Sequence, residues 1–188
     1  MQEVWIIDAA RSPRGLGRPD KGSLAHIHPQ RLLSQVLTAI AERNQLPVDD
    51  IEHIIMGCGN PSGTQRGDIA RMAALDAGWL HSSGTTVDHF CGSSLMATLF
   101  GANCISSGMH DLVVTGGIEM MSLPDKPNLA TDQHNMHLRD NTPSPASASP
   151  RMSSPPRKVS AAAMWTTLPP RANSGLYRPS TTVISRRA

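Results

Sequence analysis

Between Val4 and Gly117 the chain alternates short apolar runs with longer segments whose apolar residues recur at helical spacing, and this alternation restricts the fold more than any other feature. Val4-Trp5-Ile6-Ile7-Asp8 reads as a first strand buried on both faces, followed by an Ala-Ala-Arg-Ser-Pro turn. From Pro29 to Asn44 the residues Leu32, Leu33, Val36, Leu37 and Ile40 form one stripe, with Pro29 suited to the first helical position and Pro47 past the end. Ile51 to Gly57 reads as a second strand. Gly67-Asp68 opens a second helix, with Asp68 as N-cap and Gly78 as its left-handed stop. Thr85 to Asp88 is a third strand, and Gly92 to Ser106 a third helix with Leu95, Leu99, Ala102 and Ile105 on one side. Asp111 to Thr115 is a fourth strand, ending in Gly116-Gly117. The connections are short enough for right-handed crossovers, so the expected class is α/β, a βαβαβαβ mostly parallel sheet with helices on its faces. Three helices are few for a sheet that needs both faces covered.

The net charge of +2 conceals a split. Residues 1–140 carry 10 Lys or Arg against 15 Asp or Glu, whereas residues 141–188 carry 7 against none. That final stretch also holds eight prolines, nine serines and five threonines without sustained periodicity, a composition expected to stay disordered. A basic arm for nucleic acid is disfavoured, because its cations are scattered and only Trp165 and Tyr177 could stack on bases. With 188 residues the chain suits one domain and a tail rather than a large two-domain enzyme. It has neither a run of about 20 apolar residues nor a basic-then-apolar leader, and the expectation is a cytoplasmic protein that does not enter membranes.

Three cysteines, Cys58, Cys91 and Cys104, fit neither a disulfide framework nor a four-ligand zinc site, so reduced thiols are expected. A buried thiol is ordinarily a small hydrophobe. Cys91 stands apart because it directly follows the third strand and precedes a helix that opens Gly92-Ser93-Ser94. A sulfur there faces free backbone N–H groups and the positive end of the helix dipole, which favour thiolate over thiol. His89, two residues away, is a weak candidate base, since a side chain on a strand-to-helix turn need not point at the sulfur. His134 and His137 lack the further ligands a metal site needs and read as a polar loop.

The segment Thr86-Val-Asp-His-Phe-Cys91-Gly-Ser-Ser-Leu-Met-Ala97 resembles the nucleophile motif of the thiolases, acyl-CoA C-acyltransferases. Ile7-Asp-Ala-Ala-Arg11-Ser-Pro-Arg-Gly15, Gly67-Asp-Ile-Ala-Arg71-Met-Ala-Ala-Leu-Asp-Ala-Gly78 and Gly116-Gly-Ile-Glu119-Met-Met-Ser122 are similar to thiolase N-terminal segments and stand in family order. The resemblance divides the chain into a thiolase N-terminal domain (1–123), the start of a loop domain (124–140) and a Ser/Pro/Arg-rich tail (141–188). It implies a Claisen-type exchange through an acyl thioester on Cys91, or the reverse cleavage of 3-ketoacyl-CoA by coenzyme A. Acyl-CoA and coenzyme A are the implied partners, as substrates, with no separate cofactor, and the intact family forms homo-oligomers. Asp88 departs from the commonest family residue, Asn; buried, its charge would oppose thiolate formation.

The family's activating histidine, in a Gly-His-Pro segment, and its second cysteine, in Cys-x-Gly, belong to a C-terminal half that this sequence stops short of. His28-Pro29 follows Ile27 and matches neither by place nor pattern, and no Asn-Glu-Ala-Phe segment occurs. The expectation is therefore an incomplete catalytic set, with a truncated remnant or a partner of a separate C-terminal half as the alternative. The tail reads as translation in a shifted frame. Met164-Trp165-Thr166, read from the third base of the Met codon, must spell Val-Asp, and compatible codons yield helix-like segments over much of the tail.

Overall fold

The computed structural model describes residues 2–123 and 181–186. In chain order these form β1 (Val4–Ala10), α1 (Pro29–Asn44), β2 (His53–Gly57), α2 (Ile69–Asp76), β3 (Ser83–Val87), α3 (Ser93–Ser107), β4 (Leu112–Gly117) and β5 (Thr181–Arg186). The five strands make one sheet in the order β1-β5-β4-β2-β3. β2 pairs in parallel with β3 and β4, while β5 is antiparallel to both β1 and β4. β1 therefore runs the same way as β4, and the α/β expectation of a mostly parallel sheet holds.

Side chains alternate across the sheet with the period of two that extended backbone imposes. On one face Ile54, Met56, Val114 and Val183 join Leu33, Leu37 and Ile40 of α1 and Ile69, Ala70 and Ala73 of α2. On the other, Ile55, Val113 and Ile184 meet Ala97 and Ile105 of α3. Among the described residues two helices cover the first face and one the second.

Local chemistry explains the helix ends. His28 precedes Pro29 and its Nδ1 accepts the Gln30 N–H (3.3 Å), so this histidine caps α1. Asp68 caps α2 as expected, accepting the Arg71 N–H, and Gly78 takes the left-handed φ of 83° beyond its end. Asp8 ties β1 to α1, accepting from Arg43 Nε (2.8 Å) and Asn44 Nδ2 (2.6 Å). Burial works against ionisation of Asp8, but the Asn44, Arg43 and Ala9 donors hold its pKa below the ordinary value.

Three expectations need correction. β1 is not buried on both faces: Trp5, Ile6 and Ile7 are each about half exposed, because β1 is the sheet's edge among the described residues. α3 does not bury Leu95 and Leu99, which are 60% and 51% exposed. Its inward side is Ser93, Ala97, Gly101 and Ile105, four-residue steps of mostly small side chains that allow close approach. A Cβ at Gly101 would lie 2.4 Å from Thr115 Cγ2, so the helix is seated directly on β4. Finally, 181–186, within the stretch expected to be disordered, form β5. Thr181, Thr182, Val183 and Ile184 are β-branched, suited to a pleated strand, and all four are buried. The rest of the 141–188 tail, and the frame-shift reading of it, lie outside the described residues, as do the start of the loop domain, His134 and His137.

Candidate active site

Cys91 lies between β3 and α3 and is exposed, whereas Cys58 is buried and Cys104 intermediate. The turn carrying it is built from backbone hydrogen bonds. The Gly92 N–H donates to the His89 carbonyl (3.0 Å) and the Ser93 N–H to the Phe90 carbonyl (3.1 Å). Ser93, 3% exposed, reinforces both: its Oγ accepts the His89 N–H (2.8 Å) and donates to the Phe90 carbonyl (2.6 Å). Asp88 Oδ1 accepts the Phe90 N–H (3.0 Å). Phe90 has φ 50°, the left-handed region that costs a bulky side chain on the order of 1–3 kcal/mol. The residue immediately before the cysteine is held in a strained conformation by its neighbours.

Glycines bring α3 onto the strand ends. A Cβ at Gly57 would sit 2.3 Å from both Ser93 C and Ser94 N, and one at Gly117 would sit 2.0 Å from Ser94 Oγ. Gly57 and Gly117 are paired across β2 and β4, so together they form the bare floor under the first turn of α3. The N-cap of that helix is Gly92, which has no side chain to cap the first N–H groups.

Behind the turn, the segments after β2 and β4 are locked together. Glu119 Oε2 accepts the N–H groups of Gly59 (3.0 Å) and Asn60 (3.1 Å), and its Oε1 accepts Gln65 Nε2 (2.9 Å). Gln65 is fully buried; its Nε2 also donates to the Asn60 carbonyl (2.9 Å) and its Oε1 accepts the Met120 N–H. A second lock joins α2 to β3: Thr86 Oγ1 accepts the Ala70 N–H (3.2 Å) and donates to Asp68 Oδ1 (2.7 Å). Arg71 crosses the loop between them to the carbonyls of Trp79, Leu80 and Ser82.

The other sequence candidates fall out differently. Burial pushes the Cys58 thiol up to about 11, the Asn60 N–H opposing and the charges of Glu119 and Asp88 adding to the rise. Asp88 is exposed and turned to the Phe90 amide, so the condition under which its charge would oppose a thiolate is not met. His89 is exposed, its ring beside Gly92, and among the described residues no hydrogen bond joins it to Cys91. A cavity of about 520 Å³ lies by the 12–17 loop, α1 and residues 117–122, including Leu33, Val36 and Met121, but Cys91 does not line it. Among the described residues no cluster of three or more metal-ligating side chains occurs. Sequence reasoning missed Gln65 entirely; a glutamine in a polar Gly-Thr-Gln stretch carries no signal that it will be buried.

The thiolase N-terminal domain family matches residues 4–145. The chain belongs to the thiolase family. It is 39% identical over 123 residues to a steroid 3-ketoacyl-CoA thiolase of Mycobacterium tuberculosis, covering 65% of this chain and 30% of that protein. It is 40% identical over 124 residues to a 3-oxoadipyl-CoA/3-oxo-5,6-dehydrosuberyl-CoA thiolase of Escherichia coli, with the same two coverages. A 3-ketoacyl-CoA thiolase of Colwellia psychrerythraea is 37% identical over 123 residues, 64% of this chain and 31% of that one. The chain thus spans about 30% of the length of the thiolases it matches. Among the described residues no helix is long and apolar enough to cross a membrane.

Proposed function

We propose that this thiolase-family chain carries the acyl-accepting half of an acyl-CoA C-acyltransferase, with Cys91 as nucleophile. The observation that carries the reading is the contrast between the thiols: Cys91 is exposed on a strained, glycine-floored strand-to-helix turn, while Cys58 is buried and hard to ionise. Cys91 Sγ attacks the carbonyl of an acyl-CoA thioester, the C–S bond to coenzyme A breaks, and the acyl group remains on the protein as a new thioester. In the complete cycle, a second acyl-CoA deprotonated at its α-carbon attacks that thioester, forming a C–C bond and releasing the Cys91 thiolate. In the thiolytic direction the same sulfur takes the acyl fragment cut from a 3-ketoacyl-CoA, the substrate class in the names of two of the relatives above. Coenzyme A thioesters enter as substrates and the chemistry requires no resident cofactor. The activating histidine and second cysteine that the family resemblance calls for are not among these residues, so the step proposed for them is the acyl-accepting half-reaction.

Intact-protein mass spectrometry after mixing with acetyl-CoA tests this. One acetyl group is expected on Cys91 and none in Cys91→Ala. An unmodified protein, or acetyl spread equally over Cys91 and Cys104, refutes it. A second reading, partner of a separately encoded C-terminal half, is favoured by the apolar outer side of α3, where Leu95, Leu99 and Phe100 are exposed. Acetylation only after co-expression with such a half would support it. The frame-shift reading of the tail remains part of the proposal: a continuous thiolase frame on resequencing supports it, and a shifted frame full of stop codons does not.

A further inference from the structure

We propose that Glu119 and Gln65 form a positioning clamp for the turn that carries Cys91, acting through Gly59 on the peptide group that joins Phe90 to Cys91. The inference rests on the role of Cys91 proposed above. Glu119 reaches back from the end of β4 to hold the Gly59 and Asn60 N–H groups with one oxygen, and Gln65 with the other. Gln65, buried without exposure, returns three hydrogen bonds, to Asn60, Glu119 and Met120, so neither loop can move without the other. Gly59 is the contact point with the cysteine turn. A Cβ built on it would lie 2.8 Å from the Phe90 carbonyl oxygen and 3.1 Å from its carbon, so Gly59 passes too close to that carbonyl for any side chain to fit between them.

The carbonyl concerned belongs to the peptide bond whose nitrogen is that of Cys91. It is gripped from the helix side by the Ser93 N–H and Oγ and braced from the sheet side by Gly59. Phe90 sits at φ 50°, a conformation that persists only where surrounding structure over-determines it. Ser93 supplies one side of that constraint and the Glu119–Gln65 clamp the other. With the clamp released, the Gly59 loop retreats, the Phe90–Cys91 peptide relaxes, and the sulfur leaves its place at the start of α3. Glu119 touches no reacting atom in this scheme; it is a positioning residue.

The test uses the full chain with Glu119→Ala and Glu119→Gln. Glu119 is exposed, so its truncation opens no core cavity, and circular dichroism and thermal melting check that each variant folds. Hydrogen exchange read by mass spectrometry on the peptide spanning residues 88–94, and the rate of Cys91 alkylation by iodoacetamide at fixed pH, are measured together. Glu119→Ala should speed exchange of the turn and change the alkylation rate about tenfold or more, an ångström-scale misplacement being worth up to about a hundredfold. Glu119→Gln keeps an acceptor for Gly59 and Asn60 but sets an amide NH2 against Gln65 Nε2, so it should be impaired measurably less than Glu119→Ala. Unchanged exchange of residues 88–94 in folded Glu119→Ala overturns the clamp, as does equal impairment of the two variants. Should wild-type Cys91 prove no more reactive than Cys104, the nucleophile proposal falls, while hydrogen exchange still decides the clamp on its own.

Discussion

A single methyl group at Gly57 should disable the cysteine turn without unfolding the domain. In Gly57→Ala the new Cβ lies 2.3 Å from Ser93 C and Ser94 N and 2.6 Å from Ser93 O, all backbone atoms that cannot rotate away. Comfortable carbon contacts begin near 3.5 Å, so the first turn of α3 must rise by about 1 Å from the end of β2. Overpacking of this kind costs about 1–3 kcal/mol in stability. The larger effect is positional, since a displacement of about 1 Å at a nucleophile can cost on the order of a hundredfold in rate. Gly84→Ala provides the comparison: its Cβ meets the Arg71 backbone at 2.4 Å, an equally severe clash against α2 instead of α3. Urea unfolding and acetyl-CoA labelling of Cys91 should therefore dissociate. Both variants lose similar stability, but only Gly57→Ala loses Cys91 acylation by tenfold or more (about 1.4 kcal/mol in the barrier). If the two variants acylate at the same rate, the idea that strand-end glycines set the sulfur's position is wrong.

Other consequences can be checked separately. Ile105→Ala should destabilise the fold by about 2–5 kcal/mol, because Ile105 is fully buried against Val113 and Ile184, whereas Leu99→Ala should stay within about 0.5 kcal/mol; chemical denaturation giving the reverse order would restore the face of α3 expected from sequence. Cys58, its thiol pushed up to about 11 by burial, should resist iodoacetamide at about pH 8.5 in the native protein and react once urea unfolds it. Labelling of native Cys58 as fast as Cys91 would contradict that assignment. His53 stacks on His110 with ring centroids 5.3 Å apart, and burial, then the His110 charge, lower its pKa against an opposing contribution from Asp68. The unfolded chain then takes up this proton first as pH falls through the ordinary value of 6.5, so stability should decline below that pH and be unaffected by this group above it. The urea midpoint of His53→Gln should depend less on pH across that window than the wild type's.

What the sequence discloses depends on how local the deciding interaction is. The α1 stripe with Pro29 at its start, the Asp68 cap and the Gly78 stop are each settled within a few residues, and each stands where the pattern places it. The position of Cys91 at a strand-to-helix junction is local too. The inward face of α3 is not, because the helix is apolar nearly all round, and its orientation is chosen by two glycines on other strands, Gly57 and Gly117. The same holds for Gln65, whose partners Glu119 and Met120 are more than fifty residues away. β1 reads as a two-sided buried strand from composition alone, yet its neighbours in the sheet decide what it exposes.

The placement of β5 bears on how the domain is assembled. Among the described residues β1 has its ladder partner only in β5, and β5 alone bridges β1 to β4. The opening segment must wait, tethered through the Asp8 contacts with Arg43 and Asn44, until residues 181–186 have been synthesised and threaded between it and β4. Pairings so distant along the chain carry a heavy loop-closure cost before they return any stabilisation, which makes insertion of this strand the natural slow step of folding.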